Sequence, residues 1–246
     1  MKFRLMGITN LSTVDWPEKL VTVVFFQGCD LRCPWCQNVD SIDPSGGKNA
    51  DTDEVIEHIK RLGPIVDTLV VTGGEPLLQP EACLELLKNA KGLGFYCAIE
   101  TNGGNPQALE RLLPYLDFVA IDIKAPLSDS KLYARVTGQM RGTDLTNKIK
   151  ESLKLAISSK AEVEARTTVV PTLNDDERIV ARIANDVKGV DCLRLQQFRN
   201  QCTFNPSFQK LPMPNRERLL ELARAAKREG LKSIKIFTVE GGLETV

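Results

Sequence analysis

Apolar residues recur along this chain in two rhythms, short unbroken runs and helical stripes. The run LVTVVFF at 20–26 is rich in branched and aromatic residues and predicts a buried strand. Over 52–62, Val55, Ile56, Ile59 and Leu62 share one stripe and predict a helix. The same reading gives a strand at 67–72 that ends at Gly73-Gly74, then a helix at 81–91 with Cys83, Leu86, Leu87 and Ala90 on its stripe. A strand at 95–100, ending at Asn102-Gly103-Gly104, a short helix at 106–113 and a strand at 117–124 follow. After a long loop come a helix at 146–158, a strand at 162–170, a helix at 175–187, a strand at 192–198 and an amphipathic helix at 216–228. A further edge strand is expected at 233–237.

Strands that alternate with helices pair in parallel through right-handed crossovers. Six of them predict an α/β fold that closes partly or fully into a barrel. No Pro/Gly/Ser-rich linker, charge block or internal repeat divides the chain. One domain over 1–246 is expected, with a short N-terminal lead at 1–19 and a helix/strand extension over about 212–246.

Parity inside the strands carries chemistry, because successive side chains face opposite sides of a sheet. Val119, Ile121 and Ile123 oppose Asp122 and Lys124. Val163, Ala165 and Val169 oppose Glu162, Glu164, Arg166 and Thr168, and Leu193 and Leu195 oppose Arg194 and Gln196. The apolar faces should lie under the helices and the polar faces should line the lumen. Charges there need partners or a charged ligand, and the C-terminal ends of parallel strands are where α/β folds bind ligands. Internal ion pairs without a function are the plainer alternative.

Thirty-two basic residues balance thirty-two acidic ones, so nothing suggests a broad grip on nucleic acid or on an anionic membrane. No apolar run is long enough to span a bilayer, and residues 1–4 are not followed by a signal-peptide core. A cytoplasmic protein is expected. Of the seven cysteines, Cys29, Cys33 and Cys36 crowd into one loop after the first strand. An odd count without a secretion signal favours metal over disulfides. Three thiolates on one short loop can hold three corners of a cubane iron–sulfur cluster and leave the fourth iron open. A structural zinc would want a fourth ligand, and no nearby Cys or His supplies it. The only histidine, His58, lies on a predicted helix among charged residues. Cys83 and Cys97 fit core positions, whereas Cys192 and Cys202 are open to a radical-relay role.

The loop Cys29-Asp30-Leu31-Arg32-Cys33-Pro34-Trp35-Cys36 resembles the C-x3-C-x-aromatic-C signature of the radical S-adenosylmethionine (SAM) superfamily. Thr72-Gly73-Gly74-Glu75-Pro76 after the second strand and Glu100-Thr101-Asn102-Gly103 after the third resemble further motifs of that family, in its order. The resemblance implies a single-domain partial (β/α)6 TIM-like barrel with one 4Fe-4S cluster held by Cys29, Cys33 and Cys36. It also implies SAM chelated to the open iron, and reductive cleavage to a 5′-deoxyadenosyl radical that abstracts a substrate hydrogen. No catalytic residue beyond cluster and SAM is then needed. SAM contacts are expected from Trp35, Thr72, Gly73, Gly74, Glu75, Glu100, Thr101, Asn102, Asp122, Lys124, Arg166 and Gln196. Gly73 and Gly74 would let backbone approach a ligand. Glu75 or the adjacent backbone carbonyls would accept from an ammonium, and Lys124 and Arg166 would neutralise a carboxylate. Asp122, Glu100 and Thr101 offer oxygens to a monovalent cation.

Closer likeness is to the activating proteins of glycyl radical enzymes, above all those of anaerobic ribonucleoside-triphosphate reductase. It is carried by Ser12-Thr13-Val14-Asp15-Trp16-Pro17, Phe25-Phe26-Gln27-Gly28-Cys29, Cys36-Gln37-Asn38, Asp122-Ile123-Lys124-Ala125-Pro126, Arg166-Thr167-Thr168-Val169-Val170-Pro171 and Gln196-Gln197-Phe198-Arg199. The substrate implied is a glycine Cα–H of a large partner protein, with Asp15 and Arg199 near it and a flavodoxin- or ferredoxin-type reductant. Arg135, Arg141 and Phe204 are further rim candidates. Gln37 and Trp16 depart from related activases, and both are expected beside the cluster. The alternatives are a small-molecule enzyme similar to the 7-carboxy-7-deazaguanine synthases and a non-catalytic iron–sulfur carrier or sensor. Cys29→Ala, Cys33→Ala or Cys36→Ala should each abolish 5′-deoxyadenosine formation from SAM under dithionite. Cys83→Ala and Cys97→Ala should keep the cluster and lose about 1–3 kcal/mol of stability from packing.

Overall fold

The computed structural model describes residues 1–63, 65–139 and 144–246, so the rim candidate Arg141 lies outside the described residues. Its strands and helices in chain order begin with β1 (Lys2–Ser12), β2 (Val21–Phe26), β3 (Lys48–Asp51), α1 (Thr52–Leu62), β4 (Thr68–Gly73) and α2 (Pro80–Gly92). Next come β5 (Tyr96–Thr101), α3 (Pro106–Leu112), β6 (Phe118–Asp122), α4 (Ser130–Thr137), α5 (Leu145–Ile157) and β7 (Glu162–Val169). The chain finishes with α6 (Glu177–Asp186), β8 (Cys192–Gln197), α7 (Arg216–Lys227), β9 (Ile234–Thr238) and β10 (Gly242–Thr245). Side-chain oxygens set several helix starts. Asp51 accepts from Asp53 N, and Asp176 accepts from Arg178 N and Ile179 N, each supplying an acceptor that the first turn lacks.

All ten strands join one sheet, in the order β10-β9-β8-β7-β6-β5-β4-β2-β1-β3. Pairing is parallel from β2 through β9 and antiparallel at both margins. The barrel is thus partial. The segment expected as an edge strand, β9, is a seventh parallel strand, covered in turn by β10. Residues 1–19, expected as a lead, contain β1, which pairs with both β2 and β3. Its sequence KFRLMGITNLS has no clean alternation of exposure, so pattern alone could not find it. The long loop after β6 holds α4, whose eight residues are too few for a periodic signal.

Helices cover the outer face, where Val119, Ile121, Ile123, Val163, Leu193 and Leu195 join the main core as their parity predicts. The inner face differs from expectation in its lower half. There Trp16, Val21, Val23, Val70, Ala98, Phe118 and Ala120 form a second apolar cluster at the strands' N-terminal ends. Polar residues dominate the upper half, although Glu164 lies on the inner face at the level of Ala120. Trp16, expected beside the cluster, instead closes the floor. It is buried and stacks on Phe118, with ring centroids 4.9 Å apart and planes 19° from parallel. Burial of an indole with an aromatic partner is a large packing contribution. Trp16→Ala should lower unfolding free energy by about 3–5 kcal/mol in urea titrations.

Candidate functional site

Leaving β2, the chain crosses the C-terminal rim of the sheet and enters the cysteine loop. Gly28 N donates to Ser41 O at 2.8 Å and Cys29 N to Ile42 O at 3.1 Å, which closes the loop's base. Cys36 N donates to Cys33 O at 3.0 Å and makes the tight turn that brings the last two thiols round. Cys33 is buried, and Cys29 and Cys36 are half-buried. Burial pushes the Cys29 and Cys33 thiols up to about 12 and raises Cys36 as well. Such thiols ionise only when a metal takes up the charge. Among the described residues no three His, Cys, Asp or Glu side chains meet closely enough to hold a single ion.

The turn after β4 packs against the root of that loop. Gly73 has φ +129°, and a Cβ there would lie 2.2 Å from Phe26 O; one on Gly74 would lie 2.3 Å from Gly28 O. The glycines therefore admit backbone of the chain's own β2 and cysteine loop. Gly74 N donates to Phe26 O at 3.0 Å and Glu75 N to Gly28 O at 2.8 Å. Glu75 does not face the cavity. Its carboxylate, 2% exposed, accepts from Leu77 N at 3.0 Å, from Thr101 Oγ1 at 2.7 Å and from Asn102 N at 2.7 Å. Burial pushes its carboxyl up to about 7 against the pull of these donors. It is a staple between the ends of β4 and β5, so of the two acceptors expected for an ammonium the side chain is turned to protein donors, which leaves the adjacent backbone carbonyls. Asn102 extends the staple, donating from Nδ2 to Asp30 Oδ1 at 2.9 Å.

Register sets the charged tier. Asp122 of β6 pairs with Arg166 of β7, which pairs with Arg194 of β8, so the three lie side by side across the inner face. Arg166 is 4% exposed; it donates from Nε to Glu164 Oε1 at 2.5 Å, from Nη1 to Glu100, and from Nη2 to Asp15 O at 2.6 Å. Burial opposes its charge, yet Glu100 and Glu164 together hold it protonated. Arg166 thus gives three of its five N–H donors to protein groups while still lining the cavity. Arg194, 2% exposed, donates from Nη1 to Val14 O at 3.2 Å. Its Nε stands 3.2 Å from Glu164 Oε1 but out of line for a hydrogen bond. Burial and the neighbouring Arg166 pull its guanidinium down to about 10.

Lys124 follows β6 and donates from Nζ to Asp122 Oδ2 at 2.7 Å. Burial works against its charge, but Asp122 together with Cys33 and Tyr133 outweighs this and keeps the ammonium protonated. The ammonium also stands 5.2 Å from the centroid of the Trp35 ring, within cation–π range. Trp35 is 8% exposed and donates from Nε1 to Val136 O at 3.1 Å. Each of the three side chains expected at a cation has a protein partner: Glu100 takes Arg166 and Thr72, Asp122 takes Lys124 on Oδ2, and the Thr101 hydroxyl donates to Glu75.

One cavity of about 300 Å³ joins these parts. It is lined by Cys29, Cys33, Trp35 and Cys36 from the loop, by Thr72, Gly73 and Gly74, and by Glu100, Thr101 and Asn102. Asp122, Lys124, Arg166 and Gln196 complete the inner wall, and Asp15 and Arg199 stand at its edge. Every expected site residue therefore lines the cavity except Glu75. Val14, Gln37, Thr168, Arg194 and Phe237 line it too. The lumen parity of Thr168 and Arg194 was a usable signal, whereas Phe237 was hidden on a strand taken as an edge. The Arg135 guanidinium donates to Thr172 O at 3.4 Å, and Phe204, 42% exposed, donates its backbone N–H to Cys36 O at 3.0 Å; neither lines the cavity. Cys192 is buried near Ser233 and Cys202 is exposed, both outside the cavity lining.

Residues 23–182 match the family model described as the radical SAM superfamily. The chain is 35% identical over 246 residues to a protein of Methanocaldococcus jannaschii provisionally named a glycyl-radical enzyme activating enzyme, covering 99% of this chain and 100% of the relative. It is 35% identical over 192 residues to the pyruvate formate-lyase-activating enzyme of Clostridium pasteurianum, covering 76% and 77% of the two chains. A shorter match, 31% over 153 residues and 61% of each chain, is to the 7-carboxy-7-deazaguanine synthase of Methanothermobacter thermautotrophicus. Among solved structures, a radical SAM methyltransferase from Sphaerobacter thermophilus superposes with a TM-score of 0.65 at 17% identity, over 93% of this chain and 71% of that one. Glu75→Gln should lower unfolding free energy by about 1–3 kcal/mol, since an amide turns a donor towards Asn102 N or Thr101, and thermal unfolding measures it.

Proposed function

The chain belongs to the radical SAM superfamily, and on that premise we propose that it activates a glycyl radical enzyme by removing a hydrogen atom from a glycine Cα of that partner. The partner we assign is an anaerobic ribonucleoside-triphosphate reductase, on the motifs set out above, and the reductant is of flavodoxin or ferredoxin type. End-to-end similarity to a named activating enzyme supports the activase reading. The observation that carries it in this chain is the open edge of the cavity. Val14, Gln37, Asn38 and Arg199 line it and are themselves exposed, so a peptide loop can reach the interior. The shorter match to the deazaguanine synthase offers less support for a small-molecule substrate.

The residues present fit the cluster and SAM. Three thiols share one wall of the cavity, and among the described residues no other Cys and no His lines it. That donor set leaves one iron of a 4Fe-4S cluster without a protein ligand. Bound together, cluster and SAM supply a one-electron cleavage of the sulfonium and a 5′-deoxyadenosyl radical. This chain's part is to bind, orient and exclude water. Cys29, Cys33 and Cys36 hold the cluster. Lys124, kept charged by Asp122, faces the SAM carboxylate; with Glu100 committed to Arg166, that charge does the work otherwise given to a monovalent cation. The backbone about Thr72, Gly73 and Gly74 receives the SAM ammonium, while Trp35, Thr101, Asn102 and Gln196 bound the adenosyl group. Asp15 and Arg199 flank the entering glycine loop. The apolar floor beneath the arginine tier keeps water from entering from below.

With SAM, dithionite and anaerobic ribonucleotide reductase, a glycyl doublet should appear by electron paramagnetic resonance only when all three are present. Turnover of a carboxypterin without any partner protein would select the synthase instead.

A further inference from the structure

Helix α4 touches both halves of the site. At its C-terminal end the last carbonyls, which a helix leaves free, receive the cysteine loop. Val136 O accepts the Trp35 indole N–H at 3.1 Å and Thr137 O accepts Arg32 N at 3.0 Å. Just beyond, Gln139 Nε2 donates to Asp30 O at 3.0 Å. Gly138 ends the helix at φ +69°, and a Cβ there would lie 2.2 Å from Arg32 O and 2.8 Å from Arg32 C. Those are backbone atoms between Cys29 and Cys33. A side chain at 138 would therefore push the loop, not a flexible tip, out of place.

The body of the same helix holds the other half. Tyr133, 1% exposed, donates its hydroxyl to Asp122 O at 3.3 Å and accepts Lys124 N at 3.4 Å. The Thr137 hydroxyl donates back to Tyr133 O at 2.8 Å, tying the two ends together. Residues 122–124 are anchored from a second side, since Thr167 Oγ1 donates to Ile123 O at 2.7 Å and Asn174 Nδ2 donates to Lys124 O at 2.9 Å. That strand end is a fixed reference, and a short, stiff helix carries its position to the loop. The 5.2 Å contact between Lys124 Nζ and the Trp35 ring closes the triangle.

We infer that α4 is a bracket that sets the spacing between the cysteine loop and the Asp122/Lys124 strand end, with Gly138 and Tyr133 as its positioning residues. Neither touches the reacting atoms. Gly138 governs how firmly the loop holds iron, and Tyr133 governs where the Lys124 charge meets the SAM carboxylate. The inference rests on the superfamily membership and on the roles proposed for the three cysteines and Lys124, not on the identity of the protein partner.

Anaerobically reconstituted full-length variants test it without a partner protein. Tyr133→Phe keeps the ring and loses the hydroxyl; its iron per chain should match the parent while its dissociation constant for SAM rises about 3- to 10-fold. Gly138→Ala should lose iron to a ferrous chelator about tenfold faster or more, at a circular dichroism spectrum equal to the parent's. Gly92→Ala, at a helical position with nothing within 4 Å of the added Cβ, should change neither reading. Should Gly138→Ala not fold, Trp35→Phe removes the donor to Val136 O and should speed chelation in the same sense. Parent-like chelation by a folded Gly138→Ala, or by Trp35→Phe in its place, overturns the loop half of the bracket. Unchanged SAM affinity in Tyr133→Phe overturns the other half. Absence of the glycyl signal from the parent protein, with these results intact, would instead count against the activase reading.

Discussion

Arg166 carries a positive charge into the middle of the concave face at 4% exposure, and three groups from different parts of the chain meet it. Glu164 comes from its own strand, Glu100 from β5, and the Asp15 carbonyl from the segment that joins β1 to β2. A guanidinium at such depth is tolerated only when its donors are matched. Matching them draws the 13–17 segment under the barrel, where Trp16 meets Phe118. The same charge divides the interior. Below it, Glu164 apart, the inner face is apolar and filled; above it the face is polar and open. The cavity exists where it does because its floor is an ion-paired tier resting on an aromatic plug.

Above that tier the site is assembled by backbone meeting backbone. Gly73 and Gly74 let β4 close on β2 and on the base of the cysteine loop, and Gly138 lets α4 close on the same loop from the other side. Glu75 and Asn102 tie the ends of β4 and β5 to each other and to Asp30. The loop that carries three buried thiols is thus gripped on both flanks by elements whose own positions the parallel sheet determines. Such a loop keeps its thiols in one wall without a disulfide or a helix of its own. It also gives the site a mechanical character: cysteines, lysine and indole are members of one hydrogen-bonded frame, so a change at one is felt at the others.

Local periods made the helices and the inner strands legible. Residues 52–62 form α1 as their stripe predicts, and the branched runs became β2, β4 and β6 within a residue or two. The cysteine spacing and the Gly-Gly turn were legible because chemistry demanded those residue types close together. Other features were not. β1 alternates in exposure only over Lys2–Leu5, where it pairs with β3, and the rest of it, paired with β2 alone, stays half-buried or exposed, while α4 is shorter than its period needs to declare itself. The choice between the Glu75 carboxylate and its neighbouring carbonyls was not legible, because its sequence position puts it at the rim, while only the packed turn shows its carboxylate facing inward to Leu77 N, Thr101 Oγ1 and Asn102 N. Trp16 was misread for a related reason: its neighbours in sequence, Val14 and Asp15, do reach the cavity, but the indole turns down to the floor.

What the sequence determined by itself was the set of available chemistry and the order of elements. Three cysteines on one loop, glycines at a strand end and charges on alternate strand positions are properties of neighbours in the chain, and periods of 2.0 and 3.6 report them faithfully. What only the tertiary structure decided was which partners each of those charges meets. Arg166 and Lys124 look alike along the strands and both line the cavity, yet one is met by Glu164, Glu100 and a distant carbonyl, and the other by Asp122 beside an indole. That difference depends on partners brought from far along the chain, and strand register and loop packing, not local pattern, choose them.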